Sequence, residues 1–132
     1  MSATVTLVDN VALTLERANN KITAGNTDTI NILWGDFNTV LLGQNDVISD
    51  GGSGTTFQAS GKVGATTIKN LSADPGDIVE LLNCVGGYAT SQDAFNALTS
   101  DGAGGSMLSL GANGSLDFAA DTGLSAANFK IG

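Results

Sequence analysis

Histidine is absent from this chain of 132 residues, and cysteine occurs once. Without an imidazole, neither a Ser–His–Asp nor a Cys–His nucleophile pair can be assembled, and one thiol cannot supply a conventional zinc site. Cys84 has no partner for an internal disulfide and sits in the apolar run Ile78–Val85, which reads as a buried thiol. Only two acids are glutamates, Glu16 and Glu80, and most aspartates stand in turn-like contexts, so paired-carboxylate chemistry has little to draw on. The expectation is a protein without catalytic activity. Bases are also scarce: Arg17, Lys21, Lys62, Lys69 and Lys130 are scattered among thirteen acids, giving a formal charge of −8. Phosphate binding needs clustered bases, which argues against nucleic acid and against polybasic membrane contact. No run is apolar enough to cross a bilayer, and the first residues do not read as a signal peptide, so the expectation is that export would need another route.

Glycine is plentiful, with eighteen residues against one proline, which points to tight turns rather than a disordered linker. Between Asn10 and Asp46, Asn or Asp returns every 18 residues along two interleaved tracks. Asn10, Asp28 and Asp46 form one; Asn20 and Asn38 form the other, whose next step lands on Thr56. Each is followed two positions later by an apolar or small residue. A turn, a short strand, a second turn and a second strand thus make one coil, the period of a β-solenoid with two strands per turn. β-Branched residues place strands at Thr4–Val8, Ala12–Leu15, Lys21–Thr23, Thr29–Leu33, Thr39–Leu42, Val47–Ser49, Thr56–Ala59 and Ala65–Asn70. Ile22, Ile30, Val40, Ile48 and Phe57 should share one core.

The period fades near Leu71, which divides a single domain into a repetitive part (1–70) and a cap (71–132). Asp74-Pro-Gly-Asp77 marks a turn before the strand Ile78–Leu82. Thr90–Ser100 reads as a helix, capped by Thr90 or Ser91, with Asp93 in its first turn. Phe95 and Leu98 should lie over Ile78–Leu82 and close the solenoid's end. Met107–Leu110 and Ser115–Phe118 flank a Gly-Ala-Asn-Gly turn as a hairpin, and Asn128–Ile131 is a last strand.

Three stretches, Thr67–Ile78, Gly105–Phe118 and Leu124–Ile131, resemble the segment that ends many RTX-type proteins exported by bacterial type I systems. In that family a β-roll of Gly-Gly-x-Gly-x-Asp-x-U-x nonapeptides runs into such a cap, and calcium is held by the aspartate carboxylate and turn carbonyls of two stacked turns. The resemblance implies a short right-handed β-roll, secretion to the extracellular space, and the type I secretion machinery as partner. The nonapeptides here are degenerate: Gly51-Gly-Ser-Gly54 keeps the glycines with Thr56 in place of aspartate, while the turns 24–28 and 42–46 each keep one glycine and the aspartate. The implied calcium ligands are therefore Asp28 and Asp46 with the carbonyls of Gly25 and Gly43. The degenerate turn Trp34-Gly-Asp-Phe-Asn38 offers Asp36 and Asn38.

Charge alone also bears on an ion. Two carboxylates one strand spacing apart, about 4.8 Å, repel by about 3–4 kcal/mol at an effective dielectric near 20. A hard cation with oxygen ligands relieves that repulsion; so do side chains that splay outward and cap their own turns. Trp34 and Phe37 share one turn and form a candidate platform for stacking a sugar, or else cover the solenoid's side. The reading is a non-catalytic, β-roll-like C-terminal module that supports secretion and calcium-assisted folding outside the cell. The alternatives are an adhesin or carbohydrate-binding module that contacts glycan at a cell surface, and a structural solenoid that self-assembles through its coil edges.

Overall fold

Stretches of three or four alternating residues, interrupted by Gly, Asn and Asp, leave the chain no room for long strands. It therefore turns every few residues and stacks coil on coil. The computed structural model describes residues 3–71, 76–119, 121 and 123–132. Its strands are β1 (Thr4–Thr6), β2 (Ala12–Leu15), β3 (Lys21–Thr23), β4 (Thr29–Ile32), β5 (Thr39–Leu41), β6 (Val47–Asp50), β7 (Thr56–Ala59), β8 (Gly64–Lys69), β9 (Ile78–Leu81), β10 (Thr99–Ser100), β11 (Ser106–Ser109), β12 (Gly114–Ala119) and β13 (Phe129–Ile131). Among the described residues one α-helix, α1, spans Ser91–Asn96.

The strands form two sheets, β1-β3-β5-β7-β9-β13 and β10-β11-β12-β8-β6-β4-β2. Odd strands stack in one and even strands in the other, all parallel through β9 and β8, which defines a β-solenoid of mainly β structure. Its register pairs Lys21 with Thr39 and Thr29 with Val47, the 18-residue step. Ile22, Ile30, Val40, Ile48 and Phe57 all point inward and are fully buried. One apolar cluster runs from Leu15 to Phe129, so the repetitive part and the cap share a core.

The coils are not uniform. The first is one residue short: Ala12 pairs with Thr29, so Val11 stands above Asp28, and Asn10 instead takes a left-handed turn position at φ 62°. On the other side Thr39 pairs with Thr56, which puts Thr55 rather than Thr56 in line with Asn38. The Asp74-Pro-Gly-Asp77 turn lies partly outside the described residues.

The C-terminal end is closed by the antiparallel β10-β11-β12 unit, whose last strand lies parallel to β8, and by β13 parallel to β9. The helix is shorter than its sequence pattern predicts. Thr90 caps it, accepting the Asp93 N–H at 3.1 Å, but Ala97 ends it. Thr99 and Ser100 pair instead with Met107 and Ser106, because β-branched and hydroxyl residues before Asp101-Gly gain more from a hairpin than from another helical turn. α1 packs chiefly on β13 and the turn Ala126–Asn128, and so covers β13 rather than lying directly over Ile78–Leu82. Cys84 is exposed, not buried: strand β9 stops at Leu81, and Asn83 and Cys84 turn the chain with φ of 54° and 58°.

Candidate functional site

The structure divides the sequence-predicted residues between two corners. Asp28, Asp46, Gly25 and Gly43 share the corner that leads from odd to even strands. Trp34, Asp36, Phe37 and Asn38 lie on the corner from β4 to β5.

At the first corner both carboxylates turn inward. Asp28 and Asp46 are buried, one coil apart, with the Asp28 N–H donating to Asp46 Oδ1 at 2.9 Å. The second oxygen of each carboxylate accepts an N–H from its own turn: Gly25 to Asp28 Oδ2 at 2.7 Å and Gly43 to Asp46 Oδ2 at 2.9 Å. Val11 N–H supplies Asp28 Oδ1 at 2.8 Å. Burial pushes the Asp46 carboxyl above its ordinary range; the N–H bonds from Asp28 and Gly43 pull it down, and the charges of Asp28 and Asp9 add to the rise. The glycines are needed for space. A Cβ on Gly43 would lie 1.6 Å from the Gly25 carbonyl oxygen of the coil above.

Do these groups suit calcium? A hard cation takes six to eight oxygens at about 2.3–2.6 Å. Here every carboxylate oxygen of the pair already receives a peptide N–H, and those dipoles present their positive ends to the place an ion would fill. The donor set is that of an anion held by backbone, not of a cation cage. Among the described residues no group of three or more acidic or thiol side chains gathers into a metal site.

At the second corner Asn38 is buried, and its amide donates to Gly35 O at 3.2 Å. Asp36 is exposed and accepts the Ser53 N–H at 3.2 Å. Leu33, Trp34 and Phe37 point outward, 53%, 59% and 67% exposed. Phe37 is held at φ 60°, in the left-handed region where Asn19, Gly54 and Gly76 occupy the matching places of other coils. A bulky residue there is uncommon, at a cost of about 1–2 kcal/mol. Its ring lies over Gly54, whose missing Cβ would meet Phe37 Cδ1 at 2.7 Å. Exposed Arg17 and Asn19 lie on the same corner one coil earlier, and Gly35 sits against the Arg17 carbonyl.

Two carboxylate groupings escaped the sequence reading. Thr55 donates its N–H to Asp77 Oδ1 at 2.9 Å and its hydroxyl to Asp50 Oδ1 at 3.3 Å, and all three residues are buried. In the cap, Asp101 and Asp117 lie side by side although sixteen residues separate them. Only the β11–β12 pairing, which sets Asp117 against Met107, reveals that approach. Asp101 Oδ2 and Asp117 Oδ1 are occluded, with no donor bonded to either. Burial and the neighbouring Asp101 push the Asp117 carboxyl up to about 6, while Asp101 is held low by the Ala103 N–H, the bond with Asp117 and the Gly105 N–H. A shared proton suits such a pair. Asp117 keeps its proton better folded than unfolded, so its contribution is fully present below pH about 4 and is lost as pH rises through about 6. The opposite shift of Asp101 costs stability only below its ordinary range. The melting temperature should therefore fall between about pH 4 and about pH 6, and Asp117→Asn should flatten that slope; an equal slope in the variant would place the titration elsewhere.

No family model matches the sequence, and no curated protein matches it.

Proposed function

We propose that this chain is a rigid, non-catalytic β-solenoid module of an exported bacterial protein, and that it binds carbohydrate at a cell or matrix surface through the turn Leu33–Phe37. The observation that carries the reading is Phe37: two-thirds exposed and in a backbone conformation that favours Asn or Gly. Neither exposure nor left-handed strain helps the fold, and strain kept against stability belongs to sites that do something else. Trp34 and Phe37 offer flat faces to a pyranose, and the exposed Arg17 and Asn19 one coil earlier offer hydrogen bonds to its hydroxyls.

The test is glycan-array binding by the wild type, Trp34→Ala and Phe37→Asn. Phe37→Asn should hold stability level or raise it by up to about 1 kcal/mol, while glycan retention is lost. Wild-type silence on the array, or retention unchanged in both variants, would sink this reading.

A second reading is favoured by the closed C-terminal end. The stretches Gly105–Phe118 and Leu124–Ile131, which carry the RTX-type resemblance, contribute β11, β12 and β13 to that end, and the resemblance supports a role in secretion through a type I system. Export of a reporter fused to residues 71–132 tests it independently of any glycan.

A further inference from the structure

We infer that the inner corners of this solenoid form a cation-free ladder in which Asp, Asn or Thr is selected by the peptide three residues earlier, so that the coils stack without calcium.

The ladder has two kinds of rung. Along the stack, six corner side chains accept the backbone N–H of the residue in line with them one coil earlier. Asn20 Oδ1 takes Ala3 N–H at 3.1 Å, Asn38 Oδ1 takes Asn20 N–H at 2.9 Å, and Asp77 Oδ1 takes Thr55 N–H at 2.9 Å. On the other corner Asp28 takes Val11, Asp46 takes Asp28, and Thr66 Oγ1 takes Asp46 at 3.2 Å. These bonds span 17 to 22 residues and keep their direction despite the uneven coil lengths.

The second rung reaches back three residues, and here the residue type changes with the backbone. Where the turn presents an N–H, as at Gly25 and Gly43, the corner residue is Asp, which only accepts. Where it presents a carbonyl, as at Arg17 and Gly35, the residue is Asn, whose amide donates at 2.9 and 3.2 Å. At Val63 the carbonyl is met by the Thr66 hydroxyl at 2.8 Å. Asn20, Asn38, Asp28, Asp46 and Thr66 obey the rule, including the two aspartates that the nonapeptide resemblance assigns to calcium; Thr55 departs from it, its hydroxyl donating to Asp50 Oδ1, which also accepts the Gly52 N–H. Peptide N–H groups bond all four of their oxygens and offset part of the cost of burying the charge, with no metal in the arrangement.

Folding should therefore not wait for external calcium, and the module would be structured wherever it is made. The inference does not depend on glycan binding. The test is thermal melting of the full chain in chelator and in millimolar calcium, followed by circular dichroism. Superimposable melts are expected. A calcium-dependent rise of several degrees that Asp46→Asn abolishes would overturn the ladder and restore the ion. A second arm exchanges the residue types in chelator. Asp46→Asn sets an amide donor against the Gly43 N–H, and Asn38→Asp sets a carboxylate against the Gly35 carbonyl. Each should lower the folding equilibrium constant by roughly tenfold or more, whereas Thr66→Ser, which keeps the hydroxyl, should lower it far less. Neutral behaviour of both exchanges would refute the rule even if calcium has no effect.

Discussion

Gly43→Ala is expected to be among the most damaging single substitutions in this protein, removing more than about 4 kcal/mol. The added methyl would sit 1.6 Å from the Gly25 carbonyl oxygen, 2.7 Å from its carbon and 3.0 Å from the Ala24 oxygen. All three atoms are backbone of the adjacent coil, so no side-chain rotation relieves the overlap. The coils must separate locally, which breaks the Gly43 N–H bond to Asp46 and with it the Asp46 bond from Asp28. Gly61→Ala is the control. Nothing lies within 4 Å of its Cβ position and its φ is unremarkable, so a change within about 0.5 kcal/mol is expected there. Urea unfolding followed by circular dichroism compares the two. A Gly43→Ala midpoint near that of Gly61→Ala would mean that the corners are not packed backbone to backbone.

Gly43 also shows where sequence reasoning reached and where it stopped. Strand positions were legible because a period of two, bounded by Gly, Asn and Asp, is a local signal. β2, β3 and β7 coincide with it, and the others differ by one or two residues at their ends, except β10, which falls where the sequence pattern predicts the last turn of a helix. The 18-residue spacing gave the stacking of Asp28 on Asp46. It misassigned Asn10 and Thr56, because a coil one residue shorter moves the corner to Val11 or Thr55 without altering the composition. The purpose of the aspartates was not legible. Whether a corner carboxylate meets a cation or a peptide N–H depends on how the plane three residues earlier is turned, and no residue spelling encodes that directly. Gly25 and Gly43 were read for their carbonyls; the structure adds that their N–H groups bond Asp28 and Asp46 and that neither has room for a side chain. For Trp34 and Phe37 the sequence left open a sugar platform or a cover for the solenoid's side, and the structure exposes both. The Asp101–Asp117 approach is tertiary, set by a hairpin register that no local pattern reports.

The cap should fail through one aromatic contact. Phe118 is fully buried in β12 and meets Phe129 of β13 edge-to-face, with ring centroids 5.8 Å apart and planes at 76°. β12 extends one sheet by pairing with β8, and β13 extends the other by pairing with β9, so this pair fastens the two sheets where the repeat has ended. Phe118→Ala removes the ring and leaves a cavity that neighbouring strands cannot fill without losing their ladders. The expected cost is about 3–5 kcal/mol, a large part of the roughly 5–15 kcal/mol that holds an ordinary domain. Phe118→Leu keeps most of the volume and should cost less than about 1.5 kcal/mol beyond the lost edge contact. A double-mutant cycle with Phe129→Ala should return a coupling of about 0.5–1.5 kcal/mol for the aromatic pair. Hydrogen exchange locates the damage. Amides of β9, β12 and β13 should lose protection in Phe118→Ala, while those of β3 to β6, buried between neighbours on both sides, keep theirs longest. A loss below about 1 kcal/mol, or uniform loss of protection along the stack, would show that the two sheets are held together elsewhere and that the C-terminal elements do not close the solenoid.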